Sequence, residues 1–457
     1  MVSTPLITVY ITNYNYGKFI KKAIDSVLEQ TLQDFELIII DDGSVDNSKE
    51  IIEDYTNKQD IKVVYQQNKG LNISNNIALK VARGKYIMRL DADDYLAPTA
   101  LEEMSGALEN NPDLGLVFPN YYNVDSKANI MNEIQRHDFN SEVNLYDQPA
   151  HGACTMIRVK NLIEVGGYDE SYTCQDGYDL WVKFVNRFQV TNVNKPLFYY
   201  RQHGSNLTKN EDRLLKTRLL IKQAHIEKNN YKLPVTVGVI PIRADYDPTY
   251  EVINNQTLLE IKIEALQKSK NVKKVIVTSS DEEIASFIQE KQIPDVTFIR
   301  RPKEIERFNI SLIETLKFFR DNTDDIKEYD SVLFSSISYP FIDENVIDDA
   351  INTLSIFKAD SLISVRPEDH KFYHHTGEGM VPVFNQSFTR LERESIYKFS
   401  GGLLVANIES ALSENKIIHK KVGHVVISKQ ASLDIKSDFE LKLSELILKD
   451  KETKSHV

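Results

Sequence analysis

Short apolar runs alternate with amphipathic stretches from the first residues of the chain onward. Leu6 to Ile11 is a run suited to a buried strand. Phe19, Ile20, Ala23, Ile24, Val27 and Leu28 then recur at helical spacing. Glu36 to Ile40 reads as a second strand, stopped by Asp41-Asp42-Gly43-Ser44. A helix over Ser48 to Tyr55, a strand over Ile61 to Tyr65 and a helix over Ile73 to Ala82 follow. The next strand, Tyr86 to Leu90, ends in Asp91-Ala92-Asp93-Asp94. This alternation predicts an α/β fold with a mostly parallel sheet and helices on both faces.

Leu180, Trp181, Phe184 and Val185 give the apolar face of a helix over Asp176 to Asn186. From Asn210 to Asn229 the chain is charged, with Leu214, Leu215, Leu219 and Ile226 spaced like an amphipathic helix. It reads as a connecting helix that packs on one domain or both. Pro234 opens a new strand over Val235 to Ile240, and the alternation restarts. Strands are expected at Val275 to Thr278, Thr297 to Ile299, Ser331 to Phe334 and Ser361 to Val365. Helices are expected between them at Gln256 to Lys268, Glu282 to Gln289, Ile310 to Phe319 and Glu344 to Leu354. The length, 457 residues, suits more than one core. The expected division is a first domain over 1–208, a linking helix over 209–233 and a second α/β domain over 234–450. A charged tail over 451–457 is expected to fray. No sequence repeat relates the two halves.

Composition narrows the function classes. The 41% hydrophobic and 27% charged content is that of a globular protein. A net charge of -12 excludes broad binding to nucleic acid, which needs clustered Lys and Arg. Two cysteines, Cys154 and Cys174, cannot staple such a chain and point to a reducing cytoplasm. The N-terminus reads as a first strand rather than a signal peptide, and no stretch approaches the ~20 apolar residues of a membrane span. A cytoplasmic enzyme is expected, peripheral at the inner membrane face if its acceptor is lipid-linked.

In an open parallel sheet, ligands bind beyond the carboxyl ends of the strands. Two acidic clusters sit at such ends, Asp41-Asp42 and Asp91-Ala92-Asp93-Asp94. Either alone is more often a turn or a solvated strand end. Together they form a like-charged group that a cation or hydrogen-bond donors must hold. Oxygen ligands select Mn or Mg, and such an ion completes its shell with substrate phosphates, which points to a nucleotide diphosphate ligand. Asp176 begins a predicted helix, where an Asp is commonly an N-cap. Trp181, the single tryptophan, lies on the apolar face of that helix and reads as core.

Five ordered motifs carry a closer resemblance. They are Thr12-Asn13-Tyr14-Asn15-Tyr16, Asp41-Asp42-Gly43-Ser44, the stretch Gly84 to Asp93, the stretch Gly166 to Glu170, and the stretch Gln175 to Trp181. In order and spacing, residues 5 to 205 resemble glycosyltransferase family 2, whose members have the GT-A fold. The resemblance implies a metal-dependent inverting transfer from a nucleotide-activated sugar, with uridine favoured, to a glycan or lipid-linked acceptor. It places Thr12, Tyr14 and Asp42 at the uracil and ribose, with Asp91 beside them. Asp93, with Asp91, becomes the metal carboxylate and Asp176 the catalytic base. Arg201 and His203 match a segment that closes near the diphosphate, His203 as a candidate metal ligand. His151-Gly152-Ala153 lies where the family meets its acceptor. Two departures stand out. Asn75-Asn76 replaces the usual Arg-Asn pair, and Gln175 replaces the acidic neighbour of the base.

The second half resembles the cytidylyltransferases that activate sialic-acid-like sugars. The matching pieces are Val239 to Arg243, Lys274 to Ile284, Arg300-Arg301-Pro302, Ser338-Tyr339-Pro340 and Ser432 to Lys436. The Gly-Ser-Lys loop that cradles CTP is replaced by Ala244-Asp245-Tyr246-Asp247, and an acidic loop repels a triphosphate. The second metal carboxylate, two residues after Asp434, is Lys436. This half is therefore expected to keep the fold without cytidylyl transfer, and to serve in acceptor binding, homo-oligomerisation or docking of pathway enzymes. Two alternatives stay open: a bifunctional enzyme that also forms a CMP-activated sugar, and a non-catalytic nucleotide-sugar-binding scaffold.

Overall fold

The computed structural model describes residues 4–455 except 59, 136, 140, 142, 151, 203–210, 325, 369, 371, 378 and 384–395, with side chains described as far as 450. Two compact units form: Met1–Ile221 with Lys371–Glu394, and Lys222–His370 with Ser395–Val457.

The first unit runs β1 (Ile7–Asn13), α1 (Gly17–Leu28), β2 (Phe35–Asp41), α2 (Ser48–Glu53), β3 (Ile61–Tyr65), α3 (Leu71–Val81), β4 (Tyr86–Asp91), β5 (Tyr95–Leu96) and α4 (Ala100–Asn110). It continues with β6 (Leu114–Val124), β7 (Ile130–Ile134), β8 (Met156–Arg158), α5 (Val159–Glu164), α6 (Asp176–Val185), β9 (Gln189–Arg201) and α7 (Glu211–Lys228). Strands β3, β2, β1 and β4 are parallel neighbours in that order, as the alternating pattern predicts. Every residue of β1 is buried because both faces are covered. Ile7, Val9 and Ile11 pack with Ile20, Ile24 and Val27 of α1 and with Leu101 and Met104 of α4. Tyr10 points the other way and donates its hydroxyl to Asn75 of α3.

Beyond β4 the sheet turns mixed, in the order β8, β6, β9, β5, with β7 on the edge of β6. The sequence pattern left these strands unassigned. β6 is buried along almost its whole length and carries Pro119, Asn120 and Asn123 among its apolar residues, so neither alternation nor a clean apolar run marks it. β6 pairs with β9 through several register shifts, a pairing between segments far apart in sequence.

The second unit begins in the latter part of α7, the boundary falling between Ile221 and Lys222. Its elements are β10 (Thr236–Pro241), β11 (Val252–Ile253), β12 (Gln256–Thr257), α8 (Leu258–Lys268), β13 (Val272–Ser279), α9 (Glu283–Glu290), β14 (Val296–Arg300), α10 (Leu312–Asn322), β15 (Ser331–Ser335), α11 (Glu344–Ile356) and β16 (Ser361–Glu368). A small hairpin, β17 (Tyr373–His375) and β18 (Met380–Pro382), groups with the first unit. β19 (Ile396–Asn407), α12 (Ile408–Glu414), β20 (Val422–Val426) and α13 (Asp438–Ser455) complete the second unit. Helix α13 runs past Asp450, into the segment where a frayed tail is expected. The sheet order is β14-β13-β10-β15-β19-β16-β20, parallel from β14 to β15 and mixed after it. Val237 and Val239 enter one core with α10, while Ile240 and Ile242 enter another with α8 and α11, so this sheet too is covered on both faces.

Candidate functional site

Strand register assembles the site. Thr12 lies level with Asp91 across β1 and β4, and Asn13 level with Asp41 across β1 and β2. The two acidic clusters therefore flank the end of the central strand. The sheet order β3-β2-β1-β4 reverses direction of growth at β1, the position where open α/β sheets bind ligands.

On the β2 side, Asp41 is spent on the turn, accepting from Asn13 Nδ2 at 2.7 Å and from the Ser44 hydroxyl. Asp42 is buried and accepts from the Lys69 and Gly70 amides, both at 2.8 Å, and from Gln66 Nε2 at 2.6 Å. Asp42 thus shapes the segment between β3 and α3, and Gln66 and Lys69 join this acidic end of the sheet without any sequence signal. Gly43 has φ +81°, and a Cβ there would meet the Asn68 amide at 2.7 Å, so only glycine lets this segment close. Tyr14 stands exposed just past β1.

On the β4 side, Thr12 donates to Asp91 at 3.3 Å. Burial, with Asp93 and Asp176 adding to it against the charge of Arg89, pushes the Asp91 carboxyl up to about 6. Burial, then Asp93 and Asp91, also raises the Asp94 carboxyl. Asp94 accepts the Arg201 amide at 2.8 Å, and its other oxygen is buried without a hydrogen-bond partner. Tyr16 faces the same group: burial and then Asp93, Asp91 and Asp94 raise its phenol. Arg201 is buried at the end of β9. Its guanidinium donates to the carbonyls of Asp93, Asp125 and Ser126 and lies over the rings of Phe19 and Tyr95. In this arrangement Arg201 braces the Asp93 loop from behind. His151 and His203 lie outside the described residues.

Asp176 is the first residue of α6, and its side chain caps no backbone amide. It pairs with Nη1 of Arg89, a residue of β4 that is only 5% exposed. Arg89 also approaches Asp91, Nε to Oδ1 at 2.9 Å, an ion pair by distance without the alignment of a hydrogen bond. One buried cation therefore pairs with Asp91 and Asp176 together. Below it, Tyr10, Tyr168 and Asn75 form a buried hydroxyl–amide group. Asn75, at the place of the usual arginine, is thus part of the core under the site. The segment before Asp176 is held by α7: Arg218 Nε donates to Gln175 at 2.6 Å and Arg213 to the Thr173 hydroxyl at 2.6 Å.

Among the described residues, no three His, Cys, Asp or Glu side chains stand close enough to cage a metal. Asp91 and Asp93 offer oxygen donors alone, the chemistry that suits a hard divalent ion taking its remaining ligands from phosphate.

Residues 8–166 match the family model of glycosyl transferase family 2, and residues 249–377 match that of the cytidylyltransferases. An uncharacterised glycosyltransferase from Methanocaldococcus jannaschii is 32% identical over 206 residues, 43% of this chain and 71% of that protein. The Escherichia coli chondroitin synthase is 30% identical over 230 residues, 50% of this chain and 32% of the synthase, so the chain spans about a third of that relative's length. A structure of S. aureus TarS with UDP aligns with TM-score 0.38 at 18% identity, over 48% of this chain and 65% of that one. The chain belongs to glycosyltransferase family 2, its first unit having the GT-A type of α/β fold, and a cytidylyltransferase-like unit follows in the sequence.

Proposed function

We propose that the chain is an inverting glycosyltransferase that moves a sugar from a nucleotide diphosphate donor, a UDP-sugar in the leading reading, to a hydroxyl acceptor of a growing surface glycan. The observation that carries this reading is the meeting of Asp91 and Asp176 on Arg89 at the end of the central strands. In this reading Asp91 borders the diphosphate and Asp176 faces the acceptor hydroxyl, and their shared contact with Arg89 supports pairing the two roles. Asp176 takes the proton of that hydroxyl as its oxygen attacks the anomeric carbon, and the bond from that carbon to the diphosphate oxygen breaks on the opposite side. Asp93, with Asp91, would hold a Mn or Mg ion, which when bound neutralises charge on the departing diphosphate. The 66–70 segment shaped by Asp42 and the exposed ring of Tyr14 would receive the nucleoside.

In this reading residues 1–208 are the transferase domain, 209–233 a linking helix and 234–450 an accessory domain without cytidylyl transfer. Support for the last part is local. Asp247 takes the Arg243 guanidinium at 2.8 Å, and Lys436 sits on Asp434 at 2.7 Å, where a metal carboxylate would be needed. The hollow beside Arg243, about 200 Å³, is narrow for a nucleotide.

Calorimetric titration with UDP, CMP, CTP and GDP, each with and without Mn, tests the reading. Mn-dependent UDP binding that disappears in Asp93→Ala, with no CTP binding, is the expected result. CTP binding that survives Asp93→Ala would put the bifunctional enzyme first. Transfer that survives Asp176→Asn would remove the base assignment.

A further inference from the structure

Arg89 belongs to the site although the sequence assigned it no role. It stands two positions before Asp91 on β4, buried, with its carbonyl accepting the Cys154 amide at 2.8 Å. Its guanidinium joins two carboxylates 85 positions apart in the chain, Asp91 and Asp176. Left without a cation, these two would repel one another, and a buried unpaired charge is expensive. A lysine could not do the same work, because a single ammonium lacks the planar fork that reaches two carboxylates in fixed directions.

The surroundings leave the guanidinium little freedom. A Cβ on Gly152 would lie 2.9 Å from Arg89 Nη2 and 3.4 Å from Asp176 Oδ2, so the glycine backbone lies directly against the pair. Gly177, the next residue of α6, packs on Gly152 in turn: a Cβ there would meet Gly152 Cα at 3.0 Å. On another side lie the hydroxyls of Tyr10 and Tyr168, hydrogen-bonded to each other at 3.4 Å and electrostatically coupled to Arg89.

We propose that Arg89 is the positioning residue of the transfer: it fixes the proton-accepting carboxylate of Asp176 relative to the donor-side carboxylate of Asp91. The inference rests on the reading of Asp176 as the base. Arg89 itself touches neither substrate. It sets the distance between the group that activates the acceptor and the group that borders the donor, and a misplacement of order 1 Å there costs about 100-fold in rate.

The test is a double-mutant cycle on the full chain, measuring kcat, KM and the affinity for UDP with Mn. Arg89→Lys is expected to lower kcat by roughly 100-fold while UDP affinity stays within about threefold. In an Asp176→Asn background the same change is expected to cost less than about threefold, because the residue being positioned is already disabled. Gly152→Ala, which displaces the guanidinium without changing any charge, is the second variant should Arg89→Lys fail to fold. It is expected to show the same loss confined to kcat. Wild-type turnover in Arg89→Lys, losses that multiply in the double variant, or a loss confined to UDP affinity would each overturn the inference. Wild-type turnover in Asp176→Asn would instead sink the base assignment on which it stands.

Discussion

Arg218 donates from Nε to Gln175 Oε1 at 2.6 Å, tying the first half of α7 to the residue immediately before Asp176. Gln175 has φ 63°, a left-handed conformation that a side chain other than glycine adopts only when neighbours hold it. Arg213 holds Thr173 and Thr217 meets Cys174 at 3.3 Å, so the whole approach to the candidate base leans on this helix. The helix that the sequence suggests as a connector is thus also a clamp. Arg218→Ala is expected to lower turnover by roughly 10- to 100-fold with UDP affinity unchanged. Steady-state kinetics beside calorimetry checks this, and an equal loss in both would argue against it.

Asp42 offers a different signature. Its carboxylate organises the 66–70 segment through three hydrogen bonds, and none of them involves the base. Asp42→Ala takes that acceptor from two part-buried backbone amides, a cost of about 0.5–1.5 kcal/mol for each hydrogen bond lost. Weaker UDP binding and a lower unfolding midpoint are expected together. An unchanged midpoint in urea would show that the segment holds without Asp42.

In the second unit, Lys262 of α8 is fully buried and donates to the carbonyls of Tyr339 at 2.7 Å and Ile342 at 3.3 Å. Burial, only partly opposed by Asp343, brings its pKa from 10.5 down to about 7. Between these values the unfolded chain binds more protons than the folded one, so this lysine makes stability rise with pH across that window. Below about pH 7 the burial cost is felt in full. Urea midpoints taken at about pH 6.5 and about pH 9.5 should differ in that direction, and Lys262→Met should remove this contribution. An identical pH profile in both proteins would mean the amine titrates as if exposed.

Lys436 places its ammonium 2.7 Å from Asp434, which also accepts from the Tyr339 hydroxyl at 3.1 Å. The lysine fills with its own charge the place a divalent ion would need. Lys436→Asp restores a pair of carboxylates two residues apart, and weak Mn binding that survives Asp93→Ala is the expected gain. Isothermal titration of the double variant decides it, and silence there would mean that more than this lysine was lost.

Much of both sheets was legible along the chain. The parallel strands β1 to β4, with β10, β13, β14 and β15, are short runs between helical patterns, and local periodicity is enough to find them. Of the mixed halves only β16, expected over Ser361 to Val365, was legible. β6 and β19 interrupt their apolar residues with Pro119, Asn120, Ser400 and Gly401, and they exist because distant partners pair with them. The same split runs through the site. Asp42, Asp91, Asp93 and Asp176 stand in recognisable motifs, and Arg89 and Gly152 lie in segments the resemblance covers without a role marked for them, whereas Gln66, Lys69 and Arg218 carry no signal of their own.

The sequence by itself determined the two α/β units, the acidic strand ends and the family, because these rest on order and spacing within short segments. Tertiary structure alone decided which charges meet. A buried guanidinium on β4 reaches a carboxylate on α6 only after β8 is laid beside β4 and Gly152 lets the chain pass close. Such a pairing depends on distances through space, and residue order does not encode them.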